Sequence, residues 1–445
     1  MNSKITRGKF LGTSFGLTML SATKYSGLEA FSLQNKTEKR NSLSLNDQIN
    51  TYRNVALDVL KPSKKDLEHG LELHKNSLVM DTYGFMPRAA VDGKYINSAI
   101  EENASPLELQ DMRENMSMTR FVDHEREKKE LETAWNASGV TCVVQNAGEE
   151  GSEIKRLLKR LARFTYTTDM LKDVIQKAAT PDDIIRASKE NRHVLYFTGN
   201  GVPIPQEWVT LEEELRYIRI FFQLGIRMMH LTYNRRNVIG DGCAEPANGG
   251  LSDFGRAVVK EMNKIGVIVD ISHSGWETSL EAAQVSERPM VASHSTAASL
   301  HEHFRAKPDN VIRAIADSGG YIGICCIPRF LGGAGNIEVF LHHIDYVAKK
   351  FGVDHVGIGT DIAYTSQYAS EENSKITNSA CSTRTRWEAL WPPDDFQTTS
   401  DMRQSMAWTN WPLFTVGLVQ LGYSDYEIQK IIGGNAIRVA KAVLN

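Results

Sequence analysis

Eight short β-branched runs, most followed by an amphipathic helical pattern, constrain this chain more than any other feature. They span residues 77–82, 139–145, 194–198, 228–232, 267–271, 290–293, 320–325 and 355–359. Helix-period stretches lie between them at 125–137, 153–171, 211–224, 253–264, 276–285, 310–317 and 337–350, and two more, 423–433 and 436–443, close the chain. Continuous apolar strands suit a parallel sheet covered on both faces. Eight strand–helix units is the count of a (β/α)8 TIM barrel, an α/β fold. A doubly wound sheet fits the same alternation, but no Gly-x-Gly-x-x-Gly follows the first run. The 445 residues admit two average domains or one large barrel. At 41% hydrophobic and 24% charged residues, the chain can bury a full core.

A net charge of -3 gives no electrostatic case for nucleic acid or an anionic membrane. The five cysteines (Cys142, Cys243, Cys325, Cys326 and Cys381) are odd in number and scattered, which argues against a disulfide framework or a Cys-x-x-Cys metal knuckle. Cys325 and Cys326 sit in an apolar run and read as core thiols. Near the start, Lys4, Arg7 and Lys9 precede an apolar run from Phe10 to about Ala22, the layout of an export leader over residues 1–31. The segment Thr6-Arg7-Gly8-Lys9-Phe10-Leu11 resembles a twin-arginine signal lacking its second arginine. The expectation is an exported, periplasmic or extracytoplasmic protein. Residues 32–65 read as a linker and N-terminal helix, and 66–445 as the barrel. No later segment reaches the roughly 18 apolar residues of a membrane span.

Chemistry concentrates where strands end. Val269-Asp270-Ile271-Ser272-His273 and Val291-Ala292-Ser293-His294-Ser295 each read as a strand finishing in a histidine. Imidazoles at the ends of consecutive parallel strands face one cavity, which is how barrel hydrolases hold a metal. Two long connections, from Tyr83 to about Phe121 and from Ala363 to about Ser405, leave the same end of the barrel. Connections of that length are functional or disordered; Trp387, Trp391 and Trp408 favour an ordered lid in or near the second.

These segments resemble the membrane dipeptidase family of zinc peptidases. The likeness rests on the two histidine strands, on Gly250-Leu251-Ser252-Asp253-Phe254-Gly255, on His355-Val356-Gly357-Ile358-Gly359-Thr360-Asp361 and on Gly433-Gly434-Asn435-Ala436-Ile437-Arg438-Val439. It runs from about Asp66 to the C-terminus. The resemblance implies a metal-dependent amidohydrolase barrel that cleaves a dipeptide amide with a water held between two zinc ions. His273 and His294 match the histidines of one metal, Asp361 an aspartate suited to proton transfer, and Arg305 an arginine that pairs with the substrate carboxylate. It also implies a small peptide-like substrate and, from related members, a homodimer.

The departures are specific. A first-strand His-x-Asp, the private ligands of the other zinc, is replaced by Tyr83 and Phe85. The bridging glutamate is replaced by Thr198, and a histidine that contacts the scissile carbonyl by Tyr233. At most one zinc is expected, since catalytic zinc keeps three protein ligands and an open position. Three readings follow: a reduced hydrolase, with His273 and His294 on one metal; a metal-independent acid–base enzyme using Tyr83, His273, His294 and Asp361; or a peptide-binding protein without catalysis. Elsewhere, His342-His343 and the run Glu212-Glu213-Glu214 read as solvated helix faces, and His301 and His303 as spare imidazoles near the cavity.

Overall fold

The computed structural model describes residues 45–148, 153–377 and 390–444; the leader, Cys381 and Trp387 lie outside the described residues. Among the described residues there are nine parallel strands: β1 Met80–Gly84, β2 Cys142–Asn146, β3 Ile175–Lys177, β4 His193–Gly199, β5 Ile226–His230, β6 Ile268–Asp270, β7 Val291–Ser295, β8 Tyr321–Ile324 and β9 Val356–Ile358. Eight of them follow one another around the barrel in the order β1-β2-β4-β5-β6-β7-β8-β9. The short β3, absent from the sequence expectation, pairs with the first residues of β4. The seam between β9 and β1 is nearly closed by Asp361 N–H donating to the Tyr83 carbonyl at 3.0 Å and Phe85 N–H to the Ile362 carbonyl at 3.3 Å.

The period of two along each strand sets what fills the barrel. Met80, Val144, Tyr196, Met228, Ile268, Val291 and Tyr321 form one buried cluster inside it, joined by Ala436, Val439, Ala440 and Val443 of the helix Asn435–Leu444. That helix closes the lower end of the barrel. Two residues beyond this layer stand Thr198, His230, Asp270 and Ser293, all buried, so the polar floor of the upper end is written by strand alternation. Glycine is required at 323 and 359, where a Cβ would collide with the Ser293 carbonyl oxygen.

A second, larger cluster packs the strands' outer faces against the surrounding helices. The first long connection is not a loop. It folds into the helices Gly93–Glu101 and Pro106–Thr119, the first capped by Asp92 and the second by a reciprocal Ser105–Glu108 box with Pro106 at its first position. The N-terminal helix Asp47–Leu60 belongs to the same compact unit as the barrel, with Ile49 and Ala56 buried. Among the described residues no helix is long and apolar enough to cross a membrane.

Two surface expectations are corrected. His343 is buried, its ring meeting the Leu331 carbonyl at 3.1 Å and the Ala297 N–H at 3.2 Å. Glu214 is also buried, accepting from the backbone of Gln206 (2.8 Å) and Trp208 (2.6 Å) and so tying down the loop before its own helix. In both cases unpaired backbone groups of a neighbouring loop needed a partner, which helical periodicity does not reveal.

Candidate functional site

A cavity of about 760 Å³ opens at the C-terminal ends of the strands. Its wall includes Tyr83, Phe85, Asn146, Asn200, Tyr233, His273, Phe330, Asp361 and Trp391, with Arg88, Arg160 and Arg329 also lining it. Tyr83, Phe85, Tyr233, His273 and Asp361 are therefore brought together as the sequence expects. Trp391, from the second long connection, stacks on Phe330 at 5.7 Å and forms part of the wall.

His294 stands just behind His273, their Nε2 atoms 3.0 Å apart. His273 Nδ1 meets the Asn234 Oδ1 at 2.7 Å, and His294 Nδ1 meets the Ser293 Oγ at 2.8 Å. Asn234 Oδ1 only accepts, so His273 carries its proton on Nδ1 when neutral and turns a lone pair on Nε2 toward His294. Burial, then the charge of Arg305, holds both imidazoles well below the usual histidine range. Between two neutral rings arranged this way there is room for one proton, on His294 Nε2, or for one shared cation.

Tyr83 occupies space beside these histidines. Its ring lies over the His294 imidazole at 3.7 Å between centroids and 13° between planes, and its hydroxyl donates to Asn200 Oδ1 at 2.5 Å. Tyr233 stacks on His273 in the same manner at 4.2 Å. Thr198 donates its hydroxyl to the Met228 carbonyl at 3.0 Å, a strand-to-strand tie within the barrel.

Asp361 is half-buried in the wall at φ 57°, a left-handed conformation unusual for a residue with a Cβ. Burial pushes its carboxyl up to about 7, against the pull of Arg305 and Arg88. A carboxyl titrating there is suited to passing a proton in either direction. Arg305 does not reach the cavity wall. It is fully buried behind the histidines, and its guanidinium donates to the Ser272 carbonyl and, at 3.0 Å, to the His294 carbonyl. Lys307 lies alongside, also fully buried, donating to the Ser274 carbonyl at 2.7 Å, and burial brings its ammonium down to about 7. These two cations hold the strand ends that carry the histidines. His301 and His303 stack on each other at 6.3 Å and do not line the cavity.

One functional candidate is missing from the sequence reading. His230, the last residue of β5, has no exposure, and its Nε2 stands 2.6 Å from Asp270 Oδ2. The signal was present, because β5 ends in a histidine just as the two favoured strands do. Placing that strand two residues too late, at 228–232, hid it. His230, Asp270 and His294 offer ligand atoms that all lie within 4.8 Å of one another. Asp270 Oδ1 is saturated, accepting from Ser272 N–H (2.9 Å), Ser272 Oγ (2.7 Å) and Ser293 N–H (3.1 Å). Asp270 Oδ2 and both ring nitrogens of His230 have no hydrogen bond, despite the short contact between them. Burial opposes ionisation of Asp270, but His230 outweighs it and keeps the carboxyl well below the usual range.

The family model of the membrane dipeptidases, peptidase family M19, matches residues 74–377. The chain belongs to that family. Its curated relatives include dipeptidase verJ of Clonostachys rogersoniana, 31% identical over 229 residues, 51% of this chain and 50% of that protein. The chain spans about half the length of the curated relatives it matches. Among solved structures it is similar to an amidohydrolase from Pseudomonas aeruginosa, with TM-score 0.61 and 23% identity over 84% of this chain and 99% of that one. The probable dipeptidase PvdM from the same organism gives 0.57 and 19% over 86% and 99%. These likenesses show the barrel fold.

Proposed function

We propose that this protein is an exported hydrolase of dipeptides or similar small amides, working with at most one metal ion. The observation that carries the reading is the cavity itself, at the mouth of a family barrel, with His273 in its wall and Asp361 beside it. The family's two-zinc arrangement does not fit these residues. The Tyr83 ring lies flat on His294 where private ligands of the first metal would start, and the Thr198 hydroxyl is engaged by a strand carbonyl where a bridging carboxylate would stand. One ion remains compatible with the neutral imidazoles.

When bound, a divalent ion supplies Lewis-acid polarisation of the scissile carbonyl. The chain's own residues do the rest. Asp361 takes a proton from water and returns it to the departing amine, as its pKa of about 7 permits. The aromatic walls of Phe85, Tyr233, Phe330 and Trp391 exclude water from the bound side chains. With Arg305 committed to the strand ends, the substrate carboxylate meets the arginines that line the cavity, Arg88, Arg160 and Arg329.

The test is turnover of a dipeptide library by the purified protein with zinc supplied, followed by mass spectrometry. Cleavage that is lost in Asp361→Asn and His273→Ala is the expected result. A folded protein that binds dipeptides without cleaving them, with or without metal, would replace this reading with a binding function. A second reading is favoured by the Tyr83 hydroxyl on Asn200 and the adjoining His273–His294 pair, which can move protons without metal. Turnover that survives complete metal removal and falls in Tyr83→Phe would select it.

A further inference from the structure

We propose that His230, Asp270 and His294 form a divalent-metal site inside the barrel, displaced from the place where the family pair His273 and His294 would hold an ion. The inference refines the one-ion reading above by assigning its ligands.

Two imidazoles and a carboxylate are an ordinary protein donor set for zinc. All three side chains here are buried and come from consecutive strands β5, β6 and β7, so the barrel fixes their spacing. The supporting shell is complete on the carboxylate. Three donors from Ser272 and Ser293 saturate Asp270 Oδ1 and leave Oδ2 as its one open acceptor. His294 Nδ1 is engaged by Ser293, which leaves Nε2 as its available donor atom. Second-neighbour hydrogen bonds of this kind orient metal ligands.

His230 supplies the observation that separates this site from the family's. Neither of its ring nitrogens makes an aligned hydrogen bond, and the nearer faces Asp270 Oδ2 at 2.6 Å, so the two donor atoms have only each other. Two ligands of one tetrahedral zinc stand roughly 3.3 Å apart, so the pair opens by a fraction of an ångström when an ion enters. His273 does not join the group. It competes for His294 from the cavity side, at 3.0 Å.

The experiment is anomalous diffraction at the zinc edge from crystals of the full chain, stripped with chelator and then dialysed against zinc. Elemental mass spectrometry on the wild type, His230→Gln and His273→Gln accompanies it, with thermal unfolding to show that each variant is folded. One zinc per chain, with its peak among His230, Asp270 and His294, is expected. His273→Gln should keep that zinc, and His230→Gln should bind it at least about tenfold more weakly. A peak between His273 and His294, a peak anywhere else, or a folded wild type without zinc overturns the assignment. The wild-type map decides the matter even if a variant fails to fold. Peptide turnover is not a readout, so the hydrolase reading can fail while this site stands, and the reverse.

Discussion

The upper end of the barrel has two unlike halves. Around β5, β6 and β7 it is a network of histidine, aspartate and serine joined by short hydrogen bonds, with His230 and the Asp270 oxygen it faces standing outside that network. Around β1 and β4 the corresponding positions carry an aromatic ring, a second aromatic and a hydroxyl tied to a backbone carbonyl. The first half keeps charge management as its organising principle; the second half fills volume.

The largest expected effect lies in the polar half. Asp270→Ala leaves three buried donors of Ser272 and Ser293 without an acceptor and should cost about 3–5 kcal/mol, read by urea unfolding. An effect no larger than that of a β4 hydroxyl would erase the distinction between the halves. Next comes Tyr83→Ala, which empties the volume over His294 and should cost about 3 kcal/mol as a large-to-small core change.

Asp361→Asn sharpens the comparison through pH. The folded carboxyl titrates near 7 and the unfolded one near 3.8. Between those values the native state holds the extra proton, so this group's contribution to stability falls as pH rises from about 4 and is fully lost above 7. The asparagine variant escapes that loss. Its melting temperature relative to wild type should climb between pH 5 and pH 8, by an amount worth at most a few kcal/mol at about 1.4 kcal/mol per pKa unit. A flat difference would mean that Asp361 is solvated. Smaller still is Tyr83→Phe, which keeps the stacked ring and removes the bond to Asn200 for about 1 kcal/mol. Thr198→Val should change stability by about 1 kcal/mol or less and leave any bound zinc in place, as befits a strand tie.

Most of the barrel could be read in advance because parallel strands buried on two sides announce themselves as apolar runs. All eight expected runs overlap strands of the barrel, and the helix Trp276–Val285 begins and ends where its pattern does. What escaped was local chemistry with a short reach. The helices Gly93–Glu101 and Pro106–Thr119 were hidden by prolines and charges that turned out to be caps and first-turn residues. At the site, His273 was legible from its strand-end position, and Asp361, Tyr83 and Tyr233 through likeness to the family. His230 was not, because strand ends are uncertain by a residue or two and a two-residue shift moved it from an end to an interior. Arg305 was placed by likeness to the family, but which way a long side chain turns depends on the carbonyls it finds, and sequence does not show them.

The contact between Asp81 and Thr360 bears on how this protein reaches its native state. Asp81 accepts from the Thr360 N–H and hydroxyl and from the Trp408 indole, partners 279 and 327 positions further along the chain. Pairings this remote form late and make folding slow. Until the ninth strand arrives, β1 is an open edge offering its hydrogen bonds to any neighbour. A nascent chain stalled before residue 360 therefore carries a complete strand template with nothing to cover it, and the seam is where misassembly and degradation should begin.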